Sequence, residues 1–254
     1  MGKVIAIANQ KGGVGKTTTA INLAAALVLE GRRVLLVDID PQGNATSGLG
    51  VNKEELDACI YEVLLGLRAI QQVKMPTALK GLHLIPAAVD LAGAEIELVP
   101  LPKREERLRQ ALVAERNRYD YVFIDCPPSL GLLTLNALVA ADSVLVPIQC
   151  EFYALEGLGQ LLSTIGMVQS SLNPKLELEG VLMTMFDART NLSIQVVDEV
   201  KKHFRDQVYR NIIPRNVRLS EAPSHGKPVM IYAPRSRGAE VYKDLAKEVI
   251  EHEG

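Results

Sequence analysis

Lys11-Gly12-Gly13-Val14-Gly15-Lys16-Thr17-Thr18 stands between the first apolar run of the chain, Val4-Ile5-Ala6-Ile7-Ala8, and a helical pattern from Thr17 to about Glu30. Glycines at this density let a backbone approach a ligand closely and adopt φ values that other residues avoid. Such a loop turns its N–H groups inward, and the helix behind it adds the positive end of its dipole. Both features suit phosphate. Lys16 would reach the β- and γ-phosphates of a nucleotide and the Thr17 hydroxyl would bind Mg²⁺, with Gly12, Gly13, Val14, Gly15 and Thr18 completing the cradle. A glycine-rich turn that merely precedes a helix is the plain alternative, and the carboxylates downstream argue against it.

Val34-Leu35-Leu36-Val37-Asp38-Ile39-Asp40-Pro41-Gln42 reads as a buried strand with two aspartates at its carboxyl end. In an open parallel sheet that edge is where ligands bind. Pro41 ends the strand by Asp40, so Asp38 is expected to face Mg²⁺ while Asp40 turns toward an attacking water. Tyr121-Val122-Phe123-Ile124-Asp125 is a second buried run closed by a carboxylate, and Asp125 is expected near the metal through water. One metal–phosphate site needs Lys16, Asp38 and Asp125 together. These parts alone describe an ATPase or a GTPase, and no guanine-reading N-K-x-D motif stands in the chain.

Outward from this loop, strand and helix patterns alternate almost throughout. Arg33–Val37, Leu82–Ala87, Tyr121–Asp125, Val144–Ile148, Leu178–Met185 and Val208–Ile213 read as strands. Helical periodicity is clearest at Arg104–Arg118, Gly157–Ser170, Leu192–Phe204 and Ala239–His252, and Gly31 sits where the first helix should close. The alternation predicts an α/β fold of the P-loop NTPase type: a mostly parallel twisted sheet with helices on both faces. One domain over residues 1–254 is expected, for no repeat or linker divides it. Boundaries in Val51–Lys80 are not legible, and Leu219–Gly238 reads as an extended surface loop.

The 254 residues are 48% hydrophobic and 23% charged, with only 4% aromatic and no Trp, so the core rests on Ala, Val, Leu and Ile. Cys59, Cys126 and Cys150 have neither disulfide nor zinc spacing, which points to a reducing compartment. The first residues enter a strand pattern without a signal sequence, and no apolar run reaches the ~20 residues of a membrane span. A cytoplasmic protein is expected. Net charge is −2, but Lys201–Arg237 holds nine basic residues against two acids, +7, which leaves −9 elsewhere.

The loop departs from the ordinary G-x-x-x-x-G-K-[ST] pattern, with Gln10 at its first glycine and Lys11 opening it instead. This form resembles the deviant Walker A ATPases, the ParA/MinD family that includes the nitrogenase iron protein. Asp38-Ile39-Asp40-Pro41-Gln42-Gly43-Asn44 resembles that family's switch I motif. Gly43–Gly48, Leu91–Leu98, Tyr153–Gly157, Asp187–Asn191 and Glu221–Pro228 look like the ParA/Soj-type chromosome and plasmid partitioning ATPases. The resemblance implies ATP and Mg²⁺ as cofactors, and a weak, partner-stimulated ATPase. It implies a nucleotide-sandwich homodimer in which Lys11 reaches the partner's phosphates, with Asp40 positioning the hydrolytic water. Ile213-Pro214-Arg215-Asn216 resembles the family's base-holding segment, which assigns Pro214, Arg215 and Asn216 to adenine.

Proteins of this family bind double-stranded DNA without sequence preference as ATP dimers, on the nucleoid. A ParB-type activator stimulates hydrolysis and releases them. Because no helix-turn-helix extension precedes Lys3, DNA contact is expected to be to phosphates, electrostatic and salt-sensitive. The resemblance picks out Arg189 and Arg218 for it, and the basic stretch adds Lys227. A MinD-like membrane-cycling ATPase is the alternative, but the acidic C-terminal pattern lacks a membrane-binding apolar face. A scaffold that binds nucleotide without hydrolysing it is a further one. No contact with a membrane is expected.

Overall fold

The computed structural model describes residues 2–151 and 154–252. Tyr153 and the side chains of residues 154–157, part of one family-like segment, lie outside that description. Among the described residues, β1 (Lys3–Ile7), β2 (Val34–Asp38), β3 (Met75–Pro76), β4 (Leu82–Ile85), β5 (Tyr121–Asp125), β6 (Ser143–Gln149) and β7 (Glu177–Thr184) form one sheet in the order β3-β4-β2-β5-β1-β6-β7. All neighbours run parallel except the short edge strand β3, which is antiparallel to β4. The mostly parallel sheet read from the sequence is present.

The helices are α1 (Lys16–Leu29), α2 (Asn44–Gly48), α3 (Ile60–Leu65), α4 (Ile70–Val73), α5 (Leu91–Glu97), α6 (Arg107–Leu112), α7 (Leu132–Ala140), α8 (Ala154–Ser171), α9 (Asn191–Phe204), α10 (Val217–Glu221), α11 (Val229–Tyr232) and α12 (Arg237–Glu251). Strand residues alternate between two cores, because successive side chains leave opposite faces of a pleat. Val4, Ala6, Leu35, Val37, Val122 and Ile124 face one, with α7, α8 and α9. Ile5, Ile7, Val34, Leu36, Tyr121 and Phe123 face the other, with α1 and α12. Central strands buried on both faces explain why the sequence runs there are unbroken Val, Ile and Leu.

Helix α1 closes as expected: Gly31 has φ +82°, with Gly31 N donating to Val28 O and Arg32 N to Leu27 O at 3.0 Å each. Its Ala-rich face is covered by α12, whose Tyr242, Leu245, Ala246 and Val249 are buried. Tyr242 and Thr19 share a buried hydroxyl hydrogen bond of 3.1 Å. The apolar face of α12 is therefore occupied by α1. No described helix is long and apolar enough to cross a membrane.

Three segments differ from the sequence reading. Val208–Ile213 is not a strand; it meets β7 through an isolated bridge of Val208 to Val181 and through Tyr209 N donating to Val181 O and Ile213 N to Met183 O, at 3.0 and 2.9 Å. Its Arg210 and Asn211 amides donate instead to the Glu248 carboxylate of α12, at 2.6 and 3.1 Å. Leu219–Gly238 is not an extended surface loop. It holds α10, a 3₁₀ turn and α11, and buries Leu219, Ala222, Val229 and Met230, with Val229 N donating to Asn22 Oδ1 at 2.7 Å. The helix expected over Arg104–Arg118 is only α6 and a 3₁₀ turn at Arg116–Arg118.

Candidate nucleotide site

The loop between β1 and α1 lies at the carboxyl edge of the sheet, flanked by the ends of β5 and β6, with the end of β2 one strand beyond β5. Gly13 and Gly15 have φ of +73° and +90°, and Gly15 enters α1 from the left-handed region that β-carbons resist. Nothing lies within 4 Å of where Gly12 or Gly13 would carry a Cβ, so that side of the loop is open. The loop is pinned from behind: Asn9 Nδ2 donates to Pro147 O at 2.7 Å, and Thr184 Oγ1 donates to Val14 O at 2.8 Å.

Lys16 is buried and folds back, its Nζ donating to Lys11 O at 3.2 Å. Burial pushes its ammonium below its ordinary value against the opposing pull of Asp125, Cys126 and Asp40. The parallel register sets Asp38 directly beside Asp125. Asp38 accepts from Asp40 N at 3.2 Å and from both Thr46 N and Thr46 Oγ1 at 2.8 Å. Its burial holds the carboxyl up at about 6 in spite of those hydrogen bonds.

Asp125 is wholly buried, and neither carboxylate oxygen has a hydrogen-bond donor in good geometry. Burial, then the Asp38 charge, drives its carboxyl well above the usual range, and the Thr17 hydroxyl eases the shift. An orphaned, buried carboxylate beside a Thr hydroxyl fits a cation. No group of three or more His, Cys, Asp and Glu side chains able to hold a metal ion converges among the described residues. A Mg²⁺ that keeps waters and phosphate oxygens in its shell needs no such group.

Two joined cavities run from this edge. One, of about 390 Å³, is lined by Gly12, Gly13, Gly15, Lys16, Thr17, Thr18, Asp40, Gln42, Asn44, Pro128 and Met185. The other, of about 150 Å³, is lined by Gly15, Thr18, Thr184, Met185, Ile213, Pro214, Arg215, Asn216, Leu219, Ser220 and Tyr242. Gly15, Thr18 and Met185 belong to both, so the phosphate loop and the Pro214–Asn216 segment open on one cleft. Asn216 commits its Oδ1 to Arg218 N at 2.9 Å, capping α10, which leaves its amide hydrogens for a ligand.

At the rim, Lys11 Nζ lies 3.6 Å from Glu151 Oε2, and Arg215 lies 3.8 Å from Glu151 Oε1. Farther out, Arg189 is clasped by Asp187 through two hydrogen bonds of 2.9 and 2.7 Å, and Arg218 pairs with Glu221 at 2.7 Å. The basic stretch is less basic in space than in sequence. Lys202, Arg210, Arg215 and Arg237 pair with Glu199, Glu248 and Glu251, Glu151 and Glu240, all from outside it.

Sequence reasoning brought the phosphate-loop residues, Asp38, Asp40, Asp125 and the Pro214–Asn216 segment to one edge, where the structure also places them. It missed Thr46, Thr184, Met185, Glu151 and Tyr242. Met185 is a non-glycine residue at φ +53°, a local backbone strain on the cleft wall that no sequence pattern announces.

Residues 2–178 match the family model described as an AAA domain. The chain is 65% identical to the sporulation initiation inhibitor protein Soj of Bacillus subtilis, over 98% of each chain. It is 58% identical to the chromosome partitioning protein ParA of Myxococcus xanthus, over 100% of this chain and 89% of that one. Among solved structures it is similar to a Mycobacterium smegmatis protein described as cobyrinic acid a,c-diamide synthase, which holds ADP and magnesium. There the identity is 44%, with a TM-score of 0.88 over 99% of this chain and 95% of that one. The likeness spans the phosphate loop, both carboxylate-ended strands and the late basic segments, and the chain belongs to the ParA/Soj family of chromosome-partitioning P-loop ATPases.

Proposed function

We propose that the protein is an ATP-driven dimerisation switch: its ATP-bound dimer binds DNA without sequence preference, and a ParB-type activator releases it by stimulating hydrolysis. The observation that carries this reading is the division of labour between two lysines on one loop. Lys16 is buried in the cleft beside the carboxylates, whereas the Lys11 side chain stands at the rim, 34% exposed, where a second copy can meet it.

In this reading the glycine amides and Lys16 hold the phosphates of ATP, and Pro214, Arg215 and Asn216 wall the adenine chamber. Magnesium, when bound with ATP, neutralises phosphate charge and orients the γ-phosphoryl group. Thr17, Asp38 and Asp125 hold its side of the site. Asp40 lines the phosphate cavity, has one oxygen on Gln42 N at 2.9 Å, and keeps the other for the attacking water. Lys16 and the second copy's Lys11 stabilise the charge that shifts to the leaving oxygens.

Dimerisation doubles the basic groups that a DNA backbone can meet, and non-specific affinity climbs steeply with the number of phosphates engaged. Arg189, Arg218 and Lys227 supply such contacts, on a protein held on the nucleoid in the cytoplasm. The relative named for chromosome partitioning supports this reading. Lys11→Ala is the test: it should bind ATP as a monomer, while Lys16→Ala should bind none. An ATP-dependent dimer of Lys11→Ala, seen by light scattering, overturns the switch.

A further inference from the structure

Thr46 lies in α2 and is fully buried at the sheet edge. It gives Asp38 Oδ2 two hydrogen bonds of 2.8 Å, one from its backbone N–H and one from its hydroxyl. Its Oγ1 also accepts from Ala87 N at 2.9 Å, just beyond β4. One small side chain therefore joins the end of β2, α2 and the end of β4. The Thr46 amide lies in the first turn of α2, where no intrahelical acceptor exists, so Asp38 caps that helix, whereas the two bonds of the hydroxyl belong to no helix or strand ladder.

We propose that Thr46 is a positioning residue for the metal side of the phosphate site, fixing the Asp38 carboxylate through its hydroxyl and tying it to Ala87. The inference rests on the ATP reading above. The geometry is specific to a hydroxyl, since only an O–H can donate to Asp38 and accept from Ala87 at once. Hydrogen-bond partners that orient a metal-facing group govern its affinity for metal, and their loss costs about tenfold or more.

The approach is also sterically fixed. Gly43 has φ +59°, and a Cβ there would meet Ala87 O at 2.8 Å. The loop that carries Asp40 to Thr46 is thus pressed against the Ala87 backbone, and Thr46 is its hydrogen-bonded end. Valine at position 46 has the same shape without the hydroxyl, and leaves Ala87 N and Asp38 Oδ2 each short of a partner. Serine keeps both bonds.

The experiment compares wild type, Thr46→Val and Thr46→Ser by titrating MgCl₂ against fluorescent ADP binding and ADP-dependent thermal stabilisation, with an EDTA control. Thr46→Val is expected to raise the half-saturating Mg²⁺ about tenfold, leave ADP affinity in EDTA unchanged, and be rescued by Thr46→Ser. Hydrogen exchange at the Ala87 amide of wild type, expected to slow when Mg²⁺ joins ADP, gives a second readout that survives a variant that fails to fold. An unshifted Thr46→Val, equal shifts in both variants, or an Ala87 amide indifferent to Mg²⁺ overturns the inference alone. A wild type that binds no magnesium nucleotide overturns the ATP reading with it.

Discussion

The Lys11 ammonium stands 3.6 Å from a carboxylate oxygen of Glu151 in its own chain, and the same carboxylate faces Arg215. In the proposed dimer, where Lys11 serves a second copy's phosphates, this contact ties it in cis beforehand. The pair is part-exposed, so its hold is small, on the scale of a few-fold in an equilibrium. Glu151→Gln is expected to lower the ATP concentration for half-maximal dimerisation by about two- to fivefold, an effect that fades in high salt. Light scattering against ATP at two ionic strengths measures it. An unchanged or raised concentration means that the contact does not restrain Lys11.

Lys16 contributes one 3.2 Å hydrogen bond to its own loop and otherwise sits desolvated among carboxylates. Lys16→Ala should therefore change the melting of the nucleotide-free protein by no more than about 1 kcal/mol. It should abolish the stabilisation by ATP, which in wild type at a hundredfold excess over Kd is about 2.7 kcal/mol. Melting curves with and without ATP separate the two effects.

Glu248 joins α12 to the Val208–Ile213 segment, which leads into the cleft wall at Ile213 and Pro214. It is 2% exposed and accepts from Arg210 N, Arg210 Nε, Asn211 N and Asn211 Nδ2. Burial alone would raise its carboxyl, but these hydrogen bonds win and hold it below the usual value. A depressed folded-state pKa gives stability that is present above the unfolded value of ~4.3 and is lost as pH falls through the folded one. Glu248→Ala is expected to cost about 3 kcal/mol at pH 7. Glu248→Gln should be milder, with its deficit shrinking below about pH 4. Urea unfolding at pH 7 and in the acid range checks both, and a deficit independent of pH would remove the charge from the explanation.

Arg189 reaches solvent only as part of a closed pair. Its guanidinium makes two bonds to Asp187, whose carboxyl this arginine holds well below the carboxylate range. In the proposed DNA contact, phosphates compete with that carboxylate. Asp187→Asn should tighten non-specific DNA binding. Arg189→Ala should weaken it about equally on unrelated sequences and reduce the salt slope by about one for each phosphate no longer met. Binding isotherms on two duplexes would expose a sequence-dependent effect, which is the result that contradicts a phosphate contact.

What could be read from the sequence follows the locality of the physics. The Tyr121–Asp125 run is buried on both faces between β1 and β2, so its composition alone marked its ends as the structure has them. The phosphate loop was legible because glycine, lysine and threonine act there through backbone geometry that neighbours in sequence set. Val208–Ile213 has the composition of a strand, but its Arg210 and Asn211 amides are claimed by Glu248, nearly forty residues on, which leaves only Tyr209 and Ile213 to donate to β7. Leu219–Gly238 carries the Pro and Gly of a loop, yet Leu219, Ala222 and Val229 are buried by packing with α1 and α12. The charge of the +7 stretch is partly answered in space, by Glu151, Glu248 and Glu251 from distant parts of the chain and by Glu199 and Glu240 just beyond its ends.

The central claim is that ATP, through a dimer, switches DNA binding on. It is tested most directly by DNA binding with ATP, with ADP and without nucleotide, on two unrelated duplexes across a salt series, with the oligomeric state followed in parallel. The account predicts binding with ATP alone, indifferent to sequence and falling steeply with salt. Dimerisation with ATP but no DNA binding under any condition would contradict it.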